Sequence, residues 1–98
     1  MSKLAGKVAV VTGGGSGVGK AVAAAFLREG ASVVISGRDR AKLDAAAAEL
    51  GGGRVLAVTC DVADAGQCKE LVAAATARFG RVDILVNNAG TNVRAPID

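Results

Sequence analysis

The stretch Val8-Ala9-Val10-Val11-Thr12-Gly13-Gly14-Gly15-Ser16-Gly17-Val18-Gly19-Lys20 decides how the rest of the chain is read. Val8–Val11 is continuously apolar and mostly β-branched, the pattern of a strand covered on both faces. Glycines follow, and then Val22, Phe26 and Leu27 recur at helical spacing. Glycine at a strand-to-helix turn permits a tight bend, lets the backbone approach a phosphate, and lets the helix start pack close to the strand. The unpaired amides of the helix N-terminus then favour an anion. A nucleotide phosphate site is expected at the carboxyl end of this first strand. The plain structural alternative is a tight turn with no ligand.

Working outward, Gly30 is placed to end the first helix, because only glycine takes the left-handed turn without steric cost. Ser32–Ser36, with Val33, Val34 and Ile35, reads as a second buried strand. Asp39 is expected to cap a second helix running through Leu50, with Leu43 and the alanine run on its inner face. Gly51, Gly52 and Gly53 break it. Arg54–Cys60 reads as a third strand. Asp64 begins a third helix, with Gln67 at the capping-box position and Leu71, Val72 and Ala75 on its apolar side. Gly80 stops that helix after Phe79, and Val82–Val86 reads as a fourth strand ending in Asn87-Asn88-Ala89-Gly90. The order β-α-β-α-β-α-β with short links implies a parallel α/β sheet with right-handed crossovers. Thr91 to Asp98 hold the only proline and no clear element, so the chain is expected to be cut short just after a strand.

Composition narrows the chemistry. The 98 residues carry 12 basic and 9 acidic side chains, and there is no His, Tyr or Trp. No Ser–His pair, imidazole metal site or phenolic acid–base group can therefore be built from them. With aromatic residues at 2%, there is little to stack bases on, and the basic residues are scattered, so nucleic acid is not an expected partner. Arg40 and Lys42 read as a solvated helix start. Cys60 and Cys68 lack a CxxC spacing, so no metal site is expected, and they read as small core residues of a reduced, cytoplasmic protein. The apolar run at the N-terminus is too short for a signal peptide or a membrane span.

Three nucleotide motifs compete for the glycine loop. Gly14 through Lys20 has the P-loop form, and Asp61 ends a strand as a magnesium-holding Asp would. However, Ala21 stands where the P-loop needs a hydroxyl. The strict GxGxxG pattern starts well at Gly13 and Gly15 but meets Val18. Thr12-Gly13 followed by Gly17 and Gly19 gives TGxxxGxG instead. With Asp61-Val62 after the third strand and Asn87-Asn88-Ala89-Gly90 after the fourth, the chain resembles the short-chain dehydrogenase/reductase family over essentially its whole length.

The resemblance implies the first half of a doubly wound (Rossmann) domain, strand order 3-2-1-4, with its cofactor crevice between strands 1 and 4. It implies that Gly13, Gly17 and Gly19 shape a pyrophosphate turn alongside Gly15, with amides near Ser16 and Val18 donating to phosphates. Asp61 would accept from the adenine amino group and the Val62 amide would meet a ring nitrogen. A simple turn carboxylate is the alternative for Asp61. Asn88, Ala89 and Gly90 would border the cofactor on its ribose side, while Asn87 is expected to bond backbone and steady the central strands. The second strand ends Ser36-Gly37-Arg38, without the carboxylate that would bind a ribose 2′-hydroxyl. Arg38 can grip a 2′-phosphate, so NADP is preferred over NAD, with Asp39 close enough to compete for Arg38.

Family members place a catalytic Ser and a Tyr-x-x-x-Lys beyond the NNAG motif, and no residue of these 98 can substitute for that Tyr. The expected function is the NADP-binding N-terminal portion of an oxidoreductase that moves hydride between NADP(H) and an alcohol or carbonyl, inactive as it stands. No catalytic residue is assigned, and a small-molecule substrate is expected only with the full domain. The alternatives are a non-catalytic nucleotide-binding module and a degenerate P-loop hydrolase. Relatives are commonly dimers or tetramers, so a homo-oligomer is possible for the full protein. A four-stranded half sheet with few aromatics is expected to be marginally stable alone.

Overall fold

A computed structural model describes residues 3–15, 17–51, 53–61 and 63–88. Strands and helices alternate as β1 (Val8–Thr12), α1 (Gly17–Arg28), β2 (Ser32–Gly37), α2 (Arg40–Leu50), β3 (Val55–Thr59), α3 (Ala65–Phe79) and β4 (Ile84–Asn87). All strand pairs are parallel, and the sheet order is β3-β2-β1-β4. The chain thus steps outward from β1 through β2 to β3, then returns across the sheet to lay β4 on the other side of β1. That reversal puts β1 at the topological switch point.

Side chains alternate between the faces of a strand, so the apolar runs of β1 and β2 feed two cores. Val11, Val33 and Ile35 pack with Ala23 of α1 and with Leu43 and Ala46 of α2. Val10 and Val34 turn the other way, onto Cys60 and onto Leu71 and Ala75 of α3. Every residue of β1 is buried, which is why this strand reads as an unbroken apolar run. Val72, expected on the apolar side of α3, is 43% exposed. The helix presents Leu71 and Ala75 inward, one face four residues apart, and Val72 falls beside that stripe.

The helix ends follow local chemistry. Asp39 and Asp64 sit in extended backbone and accept the N–H groups of Lys42 and Gln67, each at 3.1 Å. Gln67 departs from a reciprocal capping box: its Oε1 accepts instead from Asp61 N at 2.8 Å, reaching past the cap to the end of β3. Gly30 has φ +97°. Its N–H donates to Leu27 O, and the next N–H, of Ala31, donates to Phe26 O, the paired bonds of a Schellman ending. Gly80 closes α3 in the left-handed region with its N–H on Thr76 O.

β4 begins at Ile84 rather than Val82. The Asp83 carboxylate takes the Val8 N–H at 2.8 Å while Asp83 N donates to Val8 O at 2.8 Å. A side chain fills the place of a ladder carbonyl there, so regular pairing starts one residue later. β3 is also shorter than Arg54–Cys60. The Arg54 guanidinium turns back to the carbonyls of Ala31 and Leu27. Among the described residues, no helix is long and apolar enough to cross a membrane. Gly52, and the stretch Thr91–Asp98 expected to hold no element, lie outside the described residues.

Candidate functional site

Gly13 leaves β1 with φ +71°, a left-handed conformation that a side chain would strain. The amides of Gly13 and Gly14 both donate to Ser36 O, at 2.8 and 3.1 Å, which folds the loop over the end of β2. A Cβ on Gly14 would stand 2.5 Å from the Ile35 Cβ. A Cβ on Gly19 would stand 2.1 Å from Gly13 O and 3.0 Å from Asn88 Nδ2. Both glycines therefore let elements touch that otherwise must separate. Gly17 differs, since a Cβ there meets nothing within 4 Å. Val18, the next residue, is 67% exposed.

Thr12 ties this loop to the end of β4. Its hydroxyl accepts from Asn88 N at 2.9 Å and lies 3.0 Å from Asn87 Oδ1 and 3.3 Å from Val86 O. The Asn87 side chain thus accepts from the hydroxyl of the neighbouring strand, and through that bond it binds β1 to β4.

A cleft of about 510 Å³ opens at the carboxyl ends of β1, β2 and β3. Gly13 and Gly15 form one wall, Gly37 and Arg38 the floor at the end of β2, and Cys60 and Asp61 the far side. Lys42 and Leu43, from the first turn of α2, complete it. Asp39 is engaged as the α2 cap and does not pair with Arg38. Neither Arg38 nor the Lys42 ammonium has an ion-pair partner among the described residues. Arg40 behaves as a solvated helix start should, paired with Asp44 one turn on at 2.9 Å. Asp61 is a turn carboxylate in part: Oδ1 accepts from Ala63 N at 3.0 Å, and its carbonyl accepts from Asp64 N. Burial, and then the adjacent Cys68 thiol, push the pKa of Cys60 above the ordinary thiol value.

The fold brings Gly13, Gly15, Arg38 and Asp61 to one cleft although up to 48 positions separate them in sequence (61 − 13). Gly17, Val18, Gly19 and Asn88 flank the loop without lining that cleft. Ser16, Val62, Ala89 and Gly90 lie outside the described residues. Lys42 was missed as a cleft residue. Its signal was the Asp39 cap, which fixes the first turn of α2 against the glycine loop. A Cβ on Gly15 would stand 3.6 Å from the Lys42 Cβ.

The short chain dehydrogenase family profile matches residues 7–98. The chain belongs to that family. It is 48% identical to an uncharacterised oxidoreductase of Methylorubrum extorquens, across 100% of this chain and 41% of that one. It is 44% identical to a D-threitol dehydrogenase of Mycolicibacterium smegmatis, covering 98% of this chain and 38% of its relative. Among solved structures, a short chain dehydrogenase from Bacillus anthracis superposes with TM-score 0.82 at 42% identity, over 87% of this chain and 35% of that one. A 3-ketoacyl-(acyl-carrier-protein) reductase from Brucella melitensis, complexed with NADH, superposes with TM-score 0.80 at 44% identity, over 85% and 34%. The chain spans about two fifths of the length of such family members. The parallel sheet of order 3-2-1-4 with alternating helices is the family's Rossmann arrangement, and this family binds NAD(P).

Proposed function

We propose that these residues form the NADP-holding part of a short-chain oxidoreductase that moves hydride between NADP(H) and an alcohol or carbonyl compound. The observation that carries the cofactor choice is the cation pair at the end of β2. Arg38 and Lys42 both line the cleft, and Asp39, next to Arg38 in sequence, accepts from the Lys42 amide. A guanidinium and an ammonium without carboxylate partners among the described residues suit a dianionic 2′-phosphate better than a neutral 2′-hydroxyl. The NADH bound to the Brucella relative belongs to that protein.

In this assignment Gly13, Gly15, Gly17 and Gly19 keep side chains out of the pyrophosphate's path. The amides of Ser16 and Val18 donate to its oxygens. Asp61 has one oxygen in its turn and offers the other to the adenine amino group, beside the Val62 amide. Asn88, Ala89 and Gly90 border the ribose next to the nicotinamide. The bound cofactor would supply the hydride. No residue here supplies the acid–base group, since the chain holds neither Tyr nor His, and turnover by the 98 residues alone is not expected. A reduced, cytoplasmic setting fits the thiols of Cys60 and Cys68.

Calorimetric titration with 2′-phospho-AMP and with AMP tests the choice. The intact chain should prefer the 2′-phosphate, and Arg38→Ala or Lys42→Ala should each cut the preference about tenfold, the scale of one charge-assisted bond. An unchanged ratio in Arg38→Ala overturns the NADP assignment. A second reading is a nucleotide-binding module without chemistry. The encoding DNA beyond codon 98 separates the two, because an in-frame Tyr-x-x-x-Lys belongs to the enzyme. The P-loop alternative lacks its hydroxyl, with Ala21 in that place; Lys20 pairs with Glu49 of α2.

A further inference from the structure

Two thiols that the proposed function does not use meet at the edge of the cleft. Cys60 follows β3, is 3% exposed, lines the cleft, and donates its N–H to Gly37 O at 2.8 Å. Cys68 lies in the first turn of α3, half-buried, with its N–H on Asp64 O at 3.0 Å. Its side chain packs on the apolar cluster that contains Cys60, near enough for the Cys68 thiol to help raise the Cys60 pKa. Both cysteines are reduced.

The intervening turn already ties the end of β3 to the first turn of α3. Asp61 N donates to Gln67 Oε1 at 2.8 Å, Ala63 N to Asp61 Oδ1 at 3.0 Å, and Asp64 N to Asp61 O at 2.9 Å. The loop-closure entropy of joining residues 60 and 68 is thus spent in folding. What remains is to draw the sulfurs to a bond length of about 2.05 Å, which pulls the end of β3 and the start of α3 together and strains the turn that holds Asp61.

We propose that Cys60 and Cys68 form a redox pair that closes to an intrachain disulfide, and that closure weakens nucleotide binding by displacing Asp61. The second clause rests on the assignment of the cleft above; the first does not. The oxidant is a hydroperoxide. Cys68, the more accessible thiol, attacks the peroxide oxygen as thiolate. The O–O bond breaks, hydroxide leaves, and a sulfenic acid forms. The Cys60 sulfur then attacks the Cys68 sulfur, and the S–O bond breaks. Its oxygen departs as water with the Cys60 proton. Two thiols and one hydrogen peroxide become one disulfide and two waters, the sulfurs losing two electrons and the peroxide gaining them. Burial disfavours the Cys60 thiolate, which suits it to resolve and not to initiate.

The pairing is decided by denatured intact mass and thiol titration of the 98-residue chain after hydrogen peroxide treatment. The expected product is a monomer two hydrogens lighter, with no titratable thiol and full reversal by dithiothreitol. Cys60→Ser and Cys68→Ser should each lose that product. Thiols that stay titratable, or conversion only to sulfinic acids or linked dimers, overturn the pair. AMP binding to reduced and oxidised chain then decides the coupling. A several-fold weaker Kd after oxidation supports it, and equal affinity overturns it. Failure of the reduced chain to bind AMP overturns both the coupling and the nucleotide assignment, while mass alone still decides the disulfide.

Discussion

The backbone N–H of Asn88 donates to the hydroxyl of Thr12 at 2.9 Å, joining groups 76 positions apart in sequence. One hydroxyl therefore serves the end of β1 and the end of β4, and Thr12 is only 4% exposed. Thr12→Val keeps the shape and removes the acceptor, leaving a covered amide unpaired. We expect a loss of about 1–3 kcal/mol in urea unfolding. Thr12→Ser should recover most of it. A Val variant as stable as the parent would show that the bond contributes nothing net.

The loop glycines should separate by position. Gly19→Ala forces a Cβ into the Gly13 carbonyl and should cost about 3 kcal/mol or more. Gly17→Ala meets open space at the start of α1. It should leave stability unchanged or raise it by up to about 1 kcal/mol. If its nucleotide affinity falls meanwhile, the missing side chain matters for the ligand and not for the fold. Paired unfolding and calorimetry of the two variants reads both effects.

Asp39→Ala should move stability and binding in opposite directions. Losing the α2 cap costs about 1 kcal/mol. The same change deletes a carboxylate from the cleft beside Arg38 and Lys42, so 2′-phospho-AMP should bind more tightly. Weaker binding in a folded variant would place Asp39 on the ligand's side of the balance.

Asp83 sets an acid-sensitive clasp. Arg81 donates to Oδ1 through Nε and Nη2, at 3.0 and 2.8 Å, and Val8 N donates to Oδ2. The Arg81 bonds first, then the Val8 amide, hold the carboxyl below the ordinary aspartate value. A depressed folded-state pKa contributes stability that is complete above the unfolded value of about 3.9 and is lost as pH falls through the folded one. Asp83→Asn should therefore flatten the acid limb of the urea midpoint below about pH 4 and leave its slope near neutrality unchanged. An identical acid limb in both proteins would exclude Asp83 as a contributor.

Much of this was legible in the chain itself, for physical reasons. The glycine spacing, the buried β1 and β2 runs and the Asp39 and Asp64 caps are set by local backbone chemistry. The sheet order follows from handed crossovers together with the family motifs. The sequence could not show that Asp39, committed to its cap, leaves Arg38 alone. Nor could it show that Gln67 bridges Asp64 and the Asp61 amide, at 3.4 and 2.8 Å. Both outcomes depend on where the partners lie once the backbone is fixed. Lys42 entering the cleft, Asp83 replacing a strand carbonyl and the meeting of Cys60 with Cys68 are tertiary facts, set by how a helix start leans on a strand end.

The two amides that Gly13 and Gly14 spend on Ser36 O have a further consequence. Donors already turned inward cannot also face an anion, so a phosphate at this loop must draw its N–H groups from residue 15 onward. That displaces the centre of positive potential away from the strand tip and onto the axis of α1. In the proposed binding mode a ligand at this loop would be sighted along that helix, with the carboxyl end of β1 as its backstop.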